Sequence, residues 1–444
     1  MNRLRPAAIP RTPVIAAASH VWPLLLGVAL LMLGNGLQGT LLGVRATLEG
    51  FGSAVTGVVM SGYFLGFLAG SLLAPGAVGR VGHLRVFAAL TAFASVAILV
   101  QSVFVEATLW TLMRIVTGFS YAGIYIVTES WLNDRVTNEH RGGLLSVYMI
   151  VAYFGMGGGQ LLLNLADPGR ADLFILISVL VSLASVPILL VVGEQPEHRN
   201  PARVTLPELF RISRLGTIGV FTTGIAQGAL FGMGAVYGSA IGLSVAGVSV
   251  FMMTIIAGGA LAQWPVGKLS DRLDRRRVIV WLAFVGAVAA SVAPFVQRSS
   301  FAGLLAIGAM LGASSLTLYS LFNAHTNDRL HQEQRVAASS GLILIFGLGA
   351  ILGPPLCGWL MGTLGASGFL IMEAAVHAAI WGFALVRRLQ GPAIAVGEQT
   401  HHVAVAARTP LLTAAMVPDI DELGEAADAQ AGEAGPSRQA GPGT

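Results

Sequence analysis

Two stretches of this sequence share one frame. Residues 133–141 read NDRVTNEHR and residues 327–335 read NDRLHQEQR, so N-D-R-x-x-x-E-x-R recurs after 194 residues (327 − 133). Each copy is a charged island between two long apolar stretches. A repeat this long in an apolar chain predicts a protein built from two similar membrane-embedded halves.

The composition excludes an ordinary soluble domain. Of the 444 residues, 55% are hydrophobic and 11% are charged, whereas soluble domains carry about 25% charged residues. The one cysteine, Cys357, cannot form an intrachain disulfide. The net charge of +4 follows the membrane topology described below, so no nucleic-acid partner is expected.

Apolar stretches of about 20 residues are long enough to span a bilayer as helices. The first of them is too long for the core of a signal peptide and lacks an A-x-A exit, so we expect it to be retained. The sequence predicts an all-α membrane protein with twelve transmembrane helices. Their expected ranges are 20–44, 53–76, 85–105, 108–130, 142–166, 171–193, 214–242, 245–267, 277–297, 300–322, 336–362 and 366–388.

The basic residues alternate between the two sides of the predicted membrane. With the N-terminus inside, 22 of the 26 basic residues are cytoplasmic, three are external, and Arg114 lies within a helix. The positive-inside rule therefore predicts a multi-pass protein of the cell inner membrane with both termini in the cytoplasm. This arrangement requires an even number of helices, which favours twelve over eleven.

The composition also divides the chain into five parts. We expect a cytoplasmic N-terminal tail (1–19), a six-helix bundle (20–193), a cytoplasmic linker (194–213), a second six-helix bundle (214–390) and a disordered acidic C-terminal tail (391–444). The C-terminal tail has too little hydrophobicity to fold alone. It is either a solvated extension or a partner-binding segment.

Several motifs carry a resemblance to a known family. Residues 267–276, GKLSDRLDRR, resemble the G-x-L-x-D-R-x-G-R-R loop of the major facilitator superfamily, with Asp274 in place of the second glycine. Arg114 and Gly118 resemble the R-x-x-x-G motif of its fourth helix. Residues 349–358 resemble its G-x-x-x-G-P motif, although they lie on the predicted eleventh helix instead of the fifth.

Within that superfamily, residues 129–133 (ESWLN) and 324–329 (AHTNDR) look most like the YcaD-like bacterial permeases. The resemblance covers residues 20–390 and implies a fold of two six-helix halves. It also implies that charged loops hold a cytoplasmic gate, although these charges can equally serve topology alone. We expect Glu129 and Arg141 to lie within reach of Arg80 or Arg85, and Asp271 and Arg272 to pair with Arg335, Glu333 or Asp328. The gate candidates are Arg80, Arg85, Glu129, Arg141, Asp271, Arg272, Asp328, Glu333 and Arg335.

Three residues inside predicted helices have no equivalent in the other half, and they are the candidates for coupling. Arg114, whose counterpart is Gly308, either faces a wet cavity or extends outward to lipid headgroups. Glu373 and His377 share one helical face, because they are four residues apart. They either carry a proton or form a hydrogen bond that packs helices, since histidine titrates near neutrality and burial disfavours an ionised carboxylate.

The resemblance implies a solute cavity lined by the first, fourth, seventh and tenth helices, with the second, fifth, eighth and eleventh beside them. Polar side chains there are either substrate contacts or bonds between helices. The cavity candidates are Asn35, Gln38, Tyr63, Tyr121, Tyr125, Tyr148, Gln227, Gln263 and Tyr319. The candidates for close helix packing and for a hinge are Gly349, Gly353, Pro354 and Gly358.

These features favour a secondary transporter for a small organic solute, coupled to protons, with the direction of transport left open. A passive facilitator is the alternative. A membrane enzyme, a subunit of an ATP-driven permease and a sensor that does not transport are more remote, and no H-E-x-x-H, G-x-S-x-G or G-x-x-x-x-G-K-[ST] motif occurs. We expect a monomer in the lipid bilayer with no cofactor and no metal.

Overall fold

The computed structural model describes residues 21–134, 138–190, 205–297, 299–330, 332–390 and 399. These residues form thirteen α-helices and one short 3-10 helix, Leu162–Leu165. The helices are α1 (Trp22–Leu48), α2 (Ser53–Val81), α3 (His83–Val103), α4 (Ala107–Asp134), α5 (Asn138–Leu161), α6 (Asp172–Leu189), α7 (Leu206–Ile212), α8 (Arg214–Ala240), α9 (Val245–Arg272), α10 (Arg275–Val296), α11 (Phe301–Asn327), α12 (Gln332–Leu364) and α13 (Ser367–Leu389).

Polar side chains mark where several of these helices begin. The Ser213, Ser244 and Ser300 hydroxyls and the Asp274 carboxylate each accept a hydrogen bond from a backbone N–H in the following turn. Such caps satisfy N–H groups that have no partner within the helix. Glu106 caps α4 in the same way, and the N–H groups two and three residues further on hold the pKa of its carboxyl below the usual value.

Two sets of six helices pack in the same order. In the first set, α1 packs against α5 and α6, α2 against α4, and α3 against α4 and α6. In the second set, α8 packs against α12 and α13, α9 against α11, and α10 against α11 and α13. The turns after α1 and α8 match as well: Gly50 (φ 74°) and Gly242 (φ 83°) both have a left-handed backbone, 192 residues apart (242 − 50).

The two ends of the helices differ. We call the end with the turns at 49–52, 241–244 and 365–366 the tight end, and the end with residues 82, 273–274 and 328–330 the charged end. The sets meet where α2 packs against α12, α5 against α9, and α1 against α8. At the tight end, Gly57 faces the Pro354 carbonyl and Gly358 faces the Ser53 carbonyl, with no room for a Cβ atom at either glycine.

The expected all-α membrane architecture is confirmed, but the count of twelve spans is not. Eleven of the described helices are long and apolar enough to cross a membrane. The remaining long helix is α4, whose apolar run is interrupted by polar and charged side chains that include Arg114 and Glu129.

The predicted boundaries also differ from the observed ones. Each of the twelve predicted ranges overlaps one long helix, but several helices continue past the apolar run into polar sequence, as α9 does to Arg272 and α11 does to Asn327. The predicted linker contains the short helix α7, and its residues 194–204 lie outside the described residues. The two predicted tails, 1–19 and 391–444, lie outside them too, apart from residue 399.

The close approach of α2 and α4 gives a first prediction. A Cβ atom on Gly118 would collide with the Tyr63 carbonyl, so Gly118→Ala should push the two helices apart at a cost of about 1–3 kcal/mol. We expect a lower thermal unfolding temperature for the purified protein in detergent. The control is Gly382→Ala, since nothing lies within 4 Å of a Cβ atom there. Equal unfolding temperatures for the two variants would contradict the packing described.

Candidate functional site

A narrow cavity lies between the two helix sets, with room for about one or two water molecules. Three of its lining residues were predicted from the sequence, and they come from three helices: Asn35 of α1, Tyr63 of α2 and Arg114 of α4. The first set also contributes Gly36, Gly39, Thr40, Phe64, Met156 and Gln160, and the second set contributes Phe231, Gly232 and Met252.

Arg114 and Asn35 are two of the polar side chains that line this cavity. Arg114 is 5% exposed, and its Cζ atom lies 4.6 Å from the centre of the Tyr63 ring. An arginine over an aromatic face gains up to about 2 kcal/mol where water is excluded. The Asn35 amide donates to the Tyr125 hydroxyl at 3.1 Å and lies 3.5 Å from the Tyr63 hydroxyl. The structure therefore brings these four predicted residues together.

A layer of aromatic rings supports the cavity from the first set. The Tyr121 ring centre lies 6.3 Å from that of Tyr63 and 5.8 Å from that of Tyr125. Phe67 packs on Tyr63 and Tyr125 at 6.1 and 6.2 Å. The Tyr121 hydroxyl reaches the Leu31 carbonyl at 3.5 Å. Tyr121 and Tyr125 thus lie behind the cavity wall and hold Tyr63 and Asn35 in place.

The predicted cavity residues of the second set form separate contacts. The Gln227 amide donates to the Ser315 carbonyl at 2.7 Å. The Gln263 amide donates to the Tyr153 hydroxyl at 3.3 Å, which links α9 to α5. The Tyr319 ring packs edge-on against Phe346, with centres 5.2 Å apart.

Two further predicted residues of the first set are buried away from this cavity. The Tyr148 hydroxyl donates to the Glu129 carboxylate at 3.1 Å. Gln38 is 1% exposed, and it does not belong to the residues that line the cavity.

Glu373 and His377 are fully buried within the second set. His377 Nδ1 donates to the Glu373 backbone carbonyl at 2.8 Å and lies 3.5 Å from the carboxylate oxygen Oε2. Because Nδ1 carries the proton, the lone pair of Nε2 in the neutral ring accepts from the Ser315 hydroxyl at 3.1 Å. Gln227, Ser315, His377 and Glu373 therefore form a connected path from α8 through α11 to α13.

Helix α13 packs on α8, α10 and α12, and it contributes no residue to the lining of the cavity that holds Arg114. The His377 ring covers Gly286 of α10, and Trp381 packs on Phe284 of the same helix, with ring centres 5.8 Å apart. The buried Cys357 thiol of α12 lies within electrostatic range of Glu373. Neither Glu373 nor His377 lines the cavity that holds Arg114.

At the charged end, the ion pairs differ from the expected ones. The sequence suggested Arg335, Glu333 or Asp328 as partners for Asp271 and Arg272. In the structure, Arg275 NH1 lies 2.6 Å from the Asp328 carboxylate, and Arg275 NH2 lies 3.4 Å from Asp271. The sequence did not single out Arg275, because it belongs to a run of three arginines (275–277) that the positive-inside rule accounts for.

The structure also places the other gate candidates. The Glu129 carboxylate, which was expected to lie within reach of Arg80 or Arg85, accepts a hydrogen bond from the Tyr148 hydroxyl. Arg80, Arg85, Arg272 and Arg335 lie near the charged end. The side chains of Arg141 and Glu333 lie outside the described residues.

Near the tight end, hydrogen bonds join the two sets through residues that the sequence reading did not select. The Thr40 hydroxyl donates to the Gln160 side chain, whose amide donates to the Gly36 carbonyl at 2.8 Å. From the second set, the Ser249 hydroxyl donates to the Gln160 backbone carbonyl at 2.5 Å and accepts from Asn164 at 3.0 Å. A glutamine after three consecutive glycines in an apolar run is the signal that could have revealed this site.

The predicted packing residues on α12 contact two helices. Gly349 and Gly353 lie against the carbonyls of Phe221 and Ile225 in α8. Pro354 and Gly358 lie against α2, as described for the tight end. The helix is continuous through both of its prolines, from Gln332 to Leu364.

Comparison with known proteins identifies the family. A model described as Major Facilitator Superfamily matches residues 24–260 and 216–417. The uncharacterised MFS-type transporter YcaD of Escherichia coli O139:H28 (strain E24377A / ETEC) is 30% identical over 358 residues, which cover 80% of this chain and 92% of YcaD.

Two solved structures share the fold. A point mutant of the nucleoside transporter NupG aligns with a TM-score of 0.73 and 12% identity, over 82% of this chain and 98% of that one. A bacterial homologue of the human lysosomal transporter Spinster, in an inward-facing and unoccupied conformation, aligns with a TM-score of 0.66 and 14% identity, over 92% of this chain and 98% of that one.

The buried pair of Arg275 and Asp328 gives a second prediction, because their side chains are 1% and 2% exposed. Arg275→Met leaves the carboxylate buried without this cation, which should cost about 3–5 kcal/mol. The double variant Arg275→Met/Asp328→Leu should be more stable than Arg275→Met alone, measured by thermal unfolding in detergent. The control is Arg170→Met, whose pair with Asp172 is exposed and should contribute about 0–1 kcal/mol. Strictly additive effects of the two substitutions would contradict the coupling.

Proposed function

Because the chain belongs to the major facilitator superfamily, we propose that it is a secondary active transporter that moves a small organic solute across the cell membrane. Transport takes place by alternating access and is coupled to protons. The observation that carries this proposal is the buried Arg114 and Asn35 in a cavity between the two helix sets. A charged side chain in a membrane interior costs about 2.5–3.5 kcal/mol, so it is kept where it has a function.

In this proposal the chain crosses the membrane twelve times, with α1–α6 and α8–α13 as its two six-helix halves and α7 in the linker between them. Helix α4 is the twelfth span, since it packs inside the first set beside α2 and α3. Both termini and the charged end are cytoplasmic, as the bias of basic residues indicates. The protein acts as a monomer in the inner membrane, with lipid around it.

With this orientation, the tight end faces the outside and is closed. Gly57, Gly358 and the bonds from Ser249 and Asn164 hold the sets together there. The cytoplasmic gate closes in the opposite state, when the charged residues of the two sets approach one another. Each exposed pair contributes only about 0–1 kcal/mol, so several together shift an equilibrium of a few kcal/mol.

The proton site in this proposal is the pair of Glu373 and His377. A buried carboxylate is costly when ionised, and the His377 imidazole lies 3.5 Å from the Glu373 carboxylate. Ser315 and Gln227 connect this pair to α8, a helix whose residues Phe231 and Gly232 line the solute cavity. Protonation can therefore change the contacts of a cavity helix although the pair does not touch the solute.

A passive facilitator is the second candidate. The observation that favours it is that Glu373 and His377 lie outside the cavity, where they can serve helix packing alone. A facilitator needs no titratable site. The two candidates differ in the response of transport to a proton gradient.

The test of coupling uses vesicles that contain the purified protein and a pH-sensitive dye. Panels of small organic solutes are added outside, and a coupled solute should change the internal pH. Glu373→Gln should abolish this change while exchange of the same solute persists, because the solute cavity is intact. The control is Glu208→Gln, an exposed acid in α7. If the rate of solute uptake is the same with and without an imposed pH gradient, both in the unmodified protein and in the Glu208→Gln control, the passive facilitator is established instead.

A fourth prediction concerns Arg114. Arg114→Ala should abolish uptake and exchange while the protein still inserts in the membrane, because the cavity loses its charge and its contact with Tyr63. Arg114→Lys keeps the positive charge but loses the planar guanidinium group, so this variant should keep only part of the transport activity. Full transport by Arg114→Ala, with normal amounts of protein in the membrane, would remove Arg114 from the mechanism.

A further inference from the structure

Three arginines from different parts of the chain lie close together at the charged end of the second set. Arg276 is in the first turn of α10, Arg329 follows the end of α11, and Arg387 is in the last turn of α13. Arg276 and Arg387 both lie within electrostatic range of Arg329. All three also lie within electrostatic range of the buried His325 imidazole. We call these three arginines the arginine cluster.

The described acidic side chains around the cluster are already bonded to particular arginines. The Asp274 carboxylate lies 3.2 Å from the Arg276 guanidinium. Arg275 lies 2.6 Å from the Asp328 carboxylate and 3.4 Å from that of Asp271. These acids therefore compensate the charges of Arg275 and Arg276.

Arg329 and Arg387 have neutral partners among the described residues. Arg329 NH1 lies 2.8 Å from His325 Nε2 and donates to the His325 carbonyl at 3.0 Å. Arg387 NH1 donates to Gln390 Oε1 at 3.2 Å. Two cations held within range of each other repel, so a negatively charged group that contacts both stabilises this end of the protein.

The same chain carries an acidic stretch beyond the cluster. Helix α13 ends at Leu389, two residues after Arg387. Residues 419–433 lie outside the described residues, and they contain six acids and no lysine or arginine. The acids are Asp419, Asp421, Glu422, Glu425, Asp428 and Glu433. Acidic terminal segments of this kind are typical interaction tails.

The connection between the cluster and the acidic stretch has a suitable length. Thirty residues separate Leu389 from Asp419 (419 − 389). A coil of that length spans about 30 Å, and its free end has an effective concentration in the mM range around its origin. A contact with a dissociation constant of about 1 mM is therefore formed about half of the time.

The place of the cluster favours this stretch over the headgroups of anionic lipids. Helix α11 packs against α8, α9 and α10, so Arg329 lies at the end of an interior helix. Anionic lipids attract basic residues that lie beside the bilayer. Because α13 ends inside the cluster, the cluster and the chain after Leu389 start on one side of the membrane, whichever side that is.

We propose that residues 419–433 bind to the arginine cluster and cover the charged end of the second set. Carboxylates of this stretch form ion pairs with Arg329 and Arg387. One segment of the chain thereby connects the ends of α11 and α13. This binding is independent of the solute and of proton coupling, so its failure leaves the proposed transport function standing.

The first test joins the two segments chemically in the full-length protein in nanodiscs of neutral lipid. Arg329→Lys and Arg387→Lys keep the positive charge and add an amine, which a carbodiimide condenses with a carboxylate in contact. Lys268 is the one native lysine, so each new amide bond is readily assigned by mass spectrometry. We expect amides between the added lysines and residues 419–433. The control is Arg170→Lys, an exposed site near the tight end, which should give none with this stretch. Yields in both cluster variants no higher than in the control would overturn the proposal.

A competing peptide tests whether charge drives the contact. An isotope-labelled peptide of residues 419–433, added at about 5 mM, should lower the yield of the internal amide by at least about half. The matched control is the same peptide with its six acids replaced by asparagine and glutamine, and it should have no effect. Equal effects of the two peptides would contradict recognition through carboxylates.

Lipid composition then distinguishes the other occupant. The coupling is repeated in nanodiscs that contain about one third phosphatidylglycerol. We expect the internal amide to form in both lipids and to decrease several-fold when the salt concentration rises from about 0.05 to 0.5 M, because salt screens exposed charges. Loss of the amide in the anionic lipid would assign the cluster to lipid headgroups and overturn the proposal.

Discussion

The hydrocarbon interior of a membrane gives a buried polar group no water to bond with, so the protein itself must supply each partner. This constraint explains the arrangement of charges in the bundle. Arg114 lies over the Tyr63 ring, Gln227 bonds to the Ser315 carbonyl, and His377 bonds to the Ser315 hydroxyl. Each of these pairs joins two different helices, so the polar contacts also fix which helices are neighbours. The apolar surface alone would allow many arrangements with similar free energies.

The two helix sets share a scaffold but not their polar interior. Their helices pack in the same order, and a glycine with positive φ lies in the turn after the first long helix of each set. The tyrosine layer and Arg114 belong only to the first set, whereas Glu373 and His377 belong only to the second. Where two copies of one framework keep the same packing, their differences indicate specialised roles. In the proposed function, the first set binds the solute and the second set binds the proton.

The helices could be predicted from the sequence because each one corresponds to a continuous apolar run bounded by charged residues, which is a local feature of the chain. It also selected Asn35, Tyr63 and Arg114, since polar side chains are rare in such runs and are easily recognised. It did not predict Arg275, whose role depends on a carboxylate 53 residues away, or the bond from Ser249 to Gln160, which joins the two sets. Serine and glutamine occur in many helices, and only the folded chain shows which of them meet.

The ion pairs at the charged end indicate how the two helix sets can separate there without breaking the contacts within the second set. Asp271 lies in the last turn of α9, Arg275 begins α10 and Asp328 follows α11, so this cluster lies wholly within the second set. It can hold three helix ends together while the sets move as units. The bonds that cross between the sets near the tight end, from Ser249 to Gln160 and from Asn164 to Ser249, are neutral, and each contributes about 1 kcal/mol. Strong contacts inside each set and weak contacts between them are what a carrier needs, because its two states must differ by only a few kcal/mol.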